Sequence, residues 1–447
     1  MDYNLIIAVL VGIAVLLILI LVVRIQAFIS LLVACLVVGF VAGLPPMDII
    51  NSMKNGMGGT LGFVATVVGL GSIFGAILER SGGAQGLADF LLKKFGEKNA
   101  PWALVITGFL VAIPVFFDVA FIILVPIIYA LQKKTGKSLL LYGIPLLAGL
   151  AITHSFIPPT PGPIAVAEII GADLGSVILM GFAVGIPTAF IAGPVFARFI
   201  SKRIHVSAPE SVTDDTDEIK ELPPISLIIG IIAIPILLIV INTVVSSPLV
   251  QGWGISPKAI ELLQLLGHPF TALILANLIA WYFLGIKRGY SKNELFQIST
   301  DSLATAGTII LLTGAGGAFK QLLVDTGAGK MIAELMSAGG VPILVFSFMI
   351  AGIVRILQGS STVAMITAAG LTAPLVGVDV GTLEKSLIVI SIASGATILS
   401  HVNDSGFWLV NRYLGLTEKQ TLQSWTVMET LIAVCGLIFC LLISPFV

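Results

Sequence analysis

Few side chains in this sequence could do chemistry, and they stand where an ordinary membrane helix would carry none. Asp118 sits in Phe116-Phe117-Asp118-Val119-Ala120, at least ten positions from either end of an apolar run over 102–131. An ionised carboxylate at that depth is costly in hydrocarbon, so the residue must pair, protonate or bind a cation. The plainer alternative is a structural salt bridge between packed helices. Arg355 is its counterpart further along, a few residues before Gln358-Gly359-Ser360-Ser361-Thr362. The hydroxyls of Ser360, Ser361 and Thr362 suit a polyhydroxylated ligand, or equally the carbonyls one turn back on their own helix.

Two stretches interrupt apolar segments in a way no regular span tolerates. In His154-Ser155-Phe156-Ile157-Pro158-Pro159-Thr160-Pro161-Gly162-Pro163, four prolines and a glycine fall between 158 and 163. No helix continues through them. Ser400-His401-Val402-Asn403-Asp404-Ser405-Gly406-Phe407-Trp408 is a polar patch with apolar flanks, and His401 stands 247 residues after His154. Irregular backbone at membrane depth survives only where protein buries it or water fills a cavity, and paired interruptions in two halves point to a transporter's binding site. Half-helix N-termini there would turn backbone N–H groups and a positive dipole end toward an anion. Candidate substrate contacts are therefore Pro158, Pro159, Thr160, Gly162, Ser360, Ser361, Thr362, Asn403, Ser405 and Gly406. The alternative, two external loops of ordinary turn residues, has against it the lack of Lys and Arg in both and their correspondence.

Candidates for a coupling ion are Asp118, His154, His401 and Asp404, because histidine titrates near physiological pH and a buried carboxylate is ready to take a cation. Each histidine could as easily hold a helix break by hydrogen bonding. His205 and His268 read as structural. Cys35, Cys435 and Cys440 lie inside apolar runs without metal or disulfide spacing. Asp325-Thr326-Gly327 lacks a protease context, Gly329-Lys330 lacks a phosphate loop, and there is no HExxH or GxSxG. The motifs imply no enzyme and no cofactor.

The elements that must position these residues are set by composition. Only 11% of the 447 residues are charged and mean hydropathy is +1.09, whereas a soluble domain carries about a quarter charged residues. Lipid must wet this surface. With a net charge of -1 and no basic block, nucleic acid is excluded as a partner. Apolar runs of spanning or near-spanning length recur from 3–23 to 426–446, enough for ten to fourteen helices, some of them broken. The first, closed by Arg24 and preceded by Asp2, reads as a span and not a cleaved signal. A polar segment, 201–224, with Glu210, Asp214, Asp215, Asp217, Glu218 and Glu221, separates a first half, 1–200, from a second, 225–447.

The halves look duplicated. Residues 69–91 lie over 314–336 without a gap, with identities at Gly69/Gly314, Gly71/Gly316, Phe74/Phe319, Leu78/Leu323, Gly82/Gly327 and Ala88/Ala333. Glycines 56, 58, 59, 62, 69, 71 and 75 would let helices approach closely. Orientation has one conflict. Lys93, Lys94 and Lys98 precede the run 102–131 and Lys133, Lys134 and Lys137 follow it, so both ends read as cytoplasmic. Either the run is broken or re-entrant around Pro114 and Pro126, or one cluster breaks the rule.

The chain resembles the gluconate permease (GntP) family of the ion-transporter superfamily over nearly its whole length. The resemblance rests on Asn55 to Gly62, Gly69-Leu70-Gly71 with Ser81 to Ala84, Phe116-Phe117-Asp118, Thr153-His154-Ser155-Phe156 with Pro158-Pro159, and Ser400 to Trp408. It implies an all-α polytopic protein of two inverted repeats with broken helices or re-entrant hairpins. It implies a homodimer working by an elevator-like motion in a bacterial inner membrane. The implied activity is symport of gluconate, a related sugar acid or D-serine with a cation, H+ before Na+. A passive anion channel is the nearer rival, and a membrane-embedded hydrolase using Ser360 or His401 the more distant one.

Overall fold

The computed structural model describes residues 3–209, 222–246, 256–327, 341–377, 380–402 and 404–447, all helix and connection with no β-strand among them. Asn403, residues 210–221 of the polar segment and 328–336 of the second repeat segment lie outside the described residues. The first half runs α1 (Tyr3–Leu21), α2 (Ala27–Val41), α3 (Pro46–Arg80), α4 (Gly83–Phe95), α5 (Ala100–Val111), α6 (Phe117–Thr135), α7 (Leu140–Phe156), α8 (Pro161–Ile170) and α9 (Leu174–Phe190). A π-turn over Ile191–Val195, which holds Pro194, carries α9 into α10 (Phe196–Arg203). The second half runs α11 (Ile225–Ser246), α12 (Pro257–Gly267), α13 (Pro269–Ala280), α14 (Lys292–Asp325), α15 (Ile343–Gln358), α16 (Ser361–Thr372), α17 (Thr382–Gly395) and α18 (Ser405–Tyr413), then α19 (Glu418–Thr421) leading into α20 (Val427–Ile443).

Local chemistry sets these boundaries. α3 opens on Pro46 with Asp48 in its first turn, and α14 on a capping box between Ser291 and Glu294. Asp173 caps α9 through the Ser176 N–H at 2.8 Å. Helix α6 stops at Gly136 (φ 67°) and α15 at Gly359 (φ 86°), the left-handed position glycine fills without strain.

Among the described residues seven helical stretches are long and apolar enough to cross a bilayer: 46–80, 140–170, 174–203, 225–246, 269–288, 292–325 and 418–446. Shorter apolar helices, among them Ala27–Val41, Ile343–Gln358 and Ser361–Leu375, accompany them. The chain is an all-α polytopic membrane protein.

Four interruptions define what the fold is for. Between α5 and α6 the chain breaks over residues 112–116, and at its outer ends Glu97 and Lys134 form an ion pair. The two ends of the run 102–131 thus lie on one face, so this segment is a re-entrant hairpin and the lysine conflict disappears. Helices α15 and α16, 16 and 12 residues long, make a second hairpin whose legs are each shorter than the ~20 residues a crossing needs. α7 is followed by α8 across Ile157–Thr160, because Pro158 and Pro159 offer no N–H and push Ile157 to an extended conformation (φ -119°, ψ 116°). α17 is followed by α18 across 396–404, where Leu399 takes a positive φ of 48°. A hairpin and then a broken helix therefore occur in the same order in each half.

Close backbone contacts hold these pieces. α3 packs along α14, where Gly56 and Gly317 meet: a Cβ on Gly56 would lie 2.4 Å from the Gly317 carbonyl oxygen. α5 crosses α7 at Gly108 and Gly149, whose added Cβ atoms would stand 2.4 Å from the Leu146 oxygen and 2.3 Å from the Val105 oxygen. Gly75 receives the carbonyl of Pro114, at the tip of the first hairpin. A Cβ added at Gly58, Gly59 or Gly62 would meet nothing within 4 Å among the described residues.

Candidate functional site

Each of the four interruptions ends on the first turn of a helix. α6 begins after Phe116, α8 after Thr160, α16 after Ser360 and α18 after Asp404. Residues from all four starts, among them Phe117 and Asp118, Pro161 and Gly162, Ser361 and Thr362, Ser405 and Gly406, line one cavity of about 520 Å³. The first N–H groups of a helix have no partner within it and sit at the positive end of its dipole. Four such ends around one space make a cradle for negative charge without any lysine. The volume is that of a small-molecule site.

One buried ion pair dominates the wall. Arg355, in the last turn of α15 and 4% exposed, reaches Asp404 Oδ2 with Nη2 at 2.5 Å. Its other terminal nitrogen donates to the carbonyl of Gly359. Asp404 also accepts from the Gly406 N–H at 3.0 Å, capping α18, and from the Ser400 hydroxyl. Ser400 Oγ in turn accepts from the Trp425 indole N–H at 2.7 Å, and the Thr426 hydroxyl donates to the Ser400 carbonyl. The second broken helix is therefore tied to the second hairpin on one side and to α20 on the other. The Trp425 ring packs on Phe117 at 5.5 Å, which brings the first hairpin onto the same wall.

Other polar atoms of the wall are buried without a partner among the described residues: His154 Nδ1, Ser361 Oγ, Arg355 Nε and Glu429 Oε1. Glu429 lies at the start of α20 and is 3% exposed. Buried polar atoms are nearly always hydrogen-bonded, so these atoms are free to bond water or a polar guest in the cavity.

Of the residues singled out in the sequence, Gly162, Ser360, Ser361, Thr362, Ser405 and Gly406 line the cavity together with Asp118, His154 and Asp404. Four others stand off it. Pro158 and Pro159 form the turn between α7 and α8, with Pro159 laid against Gly71 of α3. The Thr160 hydroxyl closes that turn by donating to the Ile157 carbonyl at 2.7 Å. His401 Nε2 hydrogen-bonds the Ile356 carbonyl at 2.9 Å, joining the second break to α15. Asn403 lies outside the described residues.

The cavity also contains residues that sequence reading passed over: Glu429, Trp425, Gln358 and Ser155. Glu429 did carry a signal, an acid inside the apolar run 426–446. Arg355 was legible only as the counterpart of Asp118, whereas in space its partner is Asp404.

A family model described as GntP family permease matches residues 4–446. The high-affinity gluconate transporter of Escherichia coli (strain K12) is 38% identical over 439 residues, covering 98% of this chain and 99% of its own length. The Gnt-II system L-idonate transporter of the same organism is 37% identical, with 97% of each chain covered. Among solved structures, the Alcanivorax borkumensis YdaH transporter superposes with a TM-score of 0.68 at 13% identity, covering 94% of this chain and 98% of that one. That last likeness concerns the fold alone.

Proposed function

The chain belongs to the GntP permease family, and on that premise we propose that it is a secondary carrier taking up gluconate or a closely related sugar acid together with a proton. Family membership makes it a multi-pass transporter of the bacterial inner membrane, not an enzyme. The observation that carries the substrate class is the convergence of four helix starts and one arginine on a single cavity within a membrane protein. Backbone N–H groups near Gly162 and Ser361 would share the carboxylate with the dipole ends behind them. The hydroxyls of Ser360, Ser361, Thr362 and Ser405 suit the polyol chain of a sugar acid. Relatives that carry gluconate and L-idonate support this substrate class.

A proton is favoured over sodium because the wall offers the titratable groups Asp118, His154, Asp404 and Glu429. Transport proceeds by alternating access, the site passing from one aqueous phase to the other between two copies of the hairpin and broken-helix unit.

The test is uptake of labelled gluconate by purified protein in proteoliposomes. An inward proton gradient should drive accumulation above the external concentration, and a sodium gradient should not. Uptake indifferent to both gradients rejects the coupling, and the absence of saturable counterflow would make the protein a pore.

A further inference from the structure

We infer that Arg355 is the anchor for the substrate carboxylate and that Asp404 occupies its place in the empty site, the two acids exchanging as a proton arrives on Asp404. The inference rests on the reading that the cavity carries a small organic anion.

The argument is one of charge and hydrogen bonds. Among the described residues Arg355 is the single Lys or Arg on the cavity wall, against three carboxylates, Asp118, Asp404 and Glu429. A substrate carboxylate added to a fully ionised wall would set four negative charges against one guanidinium, in a medium where such imbalance is severely penalised. Binding an anion therefore requires that a carboxylate be neutralised. Asp404 is the one whose neutralisation also frees a cation, because it holds Arg355 Nη2 directly at 2.5 Å.

The guanidinium is prepared for a second carboxylate. Nη1 is held by the Gly359 carbonyl, Nη2 by Asp404, and Nε is buried without a partner among the described residues. When Asp404 withdraws, Nη2 and Nε together present the two-pronged edge that grips a carboxylate through both oxygens. Asp404 also has somewhere to put a proton. As a neutral acid it still accepts from the Gly406 N–H, and its own O–H can donate to Ser400 Oγ, which accepts from Trp425 and has a second lone pair. The proton comes from the aqueous phase to which the cavity opens, and no bond other than O–H is made or broken.

The groups that face Asp404 are Arg355 from α15, Asp118 from α6, His154 from α7 and Glu429 from α20, with His401 of its own stretch bound to the Ile356 carbonyl. Exchange at Asp404 makes proton and substrate binding mutually dependent, as linkage demands.

Titration calorimetry of sodium gluconate into the purified chain, at pH 6 and pH 8 and in buffers of different ionisation enthalpy, reads the proton directly. The wild type should take up about one proton per gluconate at pH 8 and bind it more weakly there than at pH 6. Asp404→Asn should bind with no proton uptake and with the same affinity at both pH values. Arg355→Gln should lose about a hundredfold in affinity. The variant Arg355→Gln with Asp404→Asn replaces the ion pair by a neutral pair, so neither partner is left as an unpaired charge, and separates loss of the anchor from loss of folding.

Proton uptake in Asp404→Asn equal to the wild type, or unchanged affinity in Arg355→Gln, overturns the exchange. Gluconate bound by the wild type without a proton also overturns it and leaves the substrate reading intact. If gluconate is ignored but D-serine or lactate binds with one proton, the substrate reading falls and the exchange stands. Binding of none of the three overturns both.

Discussion

Asp404 holds Arg355, the Ser400 hydroxyl and the Gly406 amide at once, so a change at any partner leaves a buried group stranded. Arg355→Ala leaves an uncompensated carboxylate in the interior, and removing one member of a buried pair costs about 3–5 kcal/mol. Thermal unfolding in detergent should place Arg355→Ala well below the wild type, and Arg355→Ala with Asp404→Ala should regain much of the difference. Equal melting temperatures for the single variant and the wild type would show that the pair does not hold the break. Ser400→Ala removes the acceptor of the buried Trp425 N–H and a donor to Asp404. It should cost about 1–3 kcal/mol, the penalty for a buried group left unpaired.

The hairpins and broken helices depend on backbones that touch. A methyl group on Gly75 would sit 1.9 Å from the Pro114 carbonyl oxygen, whereas one on Gly58 meets nothing within 4 Å. Gly75→Ala must push the tip of the α5–α6 hairpin off α3, with an overpacking cost of about 1–3 kcal/mol. That tip leads directly into Phe116, Phe117 and Asp118, so uptake should fall along with the melting temperature. Gly58→Ala should be neutral or stabilising, since alanine is a better helix former by up to about 1 kcal/mol. The reverse ranking in a thermal-shift comparison would show that the hairpin does not seat on Gly75.

Seen as a whole, the molecule gathers basic side chains at one end. Lys98, Lys137, Arg198 and Lys202 border a common groove beside the Glu97–Lys134 pair, although Lys98 and Lys137 flank opposite ends of the run 102–131. The positive-inside rule puts this end in the cytoplasm. With Cys35, Cys435 and Cys440 replaced, Lys98→Cys and Lys137→Cys should both react with a membrane-impermeant maleimide in inside-out vesicles and not in right-side-out ones. Labelling of the two from opposite sides would turn the re-entrant hairpin into a crossing.

The sequence by itself determined the class of molecule, because a chain with so few charges has no surface that water could wet. It also pointed to breaks at 158–163 and 400–408, since proline and clustered polar groups end a membrane helix, although the structure shifts both toward the N-terminus, to 157–160 and 396–404, with 161–163 and 405–408 already helical. Nine of the residues singled out for chemistry line the cavity, at or beside these breaks or at the turns of the two hairpins. Which end meets which was decided only in three dimensions. Whether 102–131 crosses or returns shows only in space, where its flanks lie close enough for Glu97 and Lys134 to pair. The partner of Arg355 is Asp404 because α15 and the second break lie side by side, a relation that no spacing encodes. Thr160 closes its own turn on the Ile157 carbonyl and His401 reaches across to the Ile356 carbonyl of α15, so neither faces the cavity. Local chemistry fixes where a helix stops, and the direction a side chain then faces depends on helices far away in sequence.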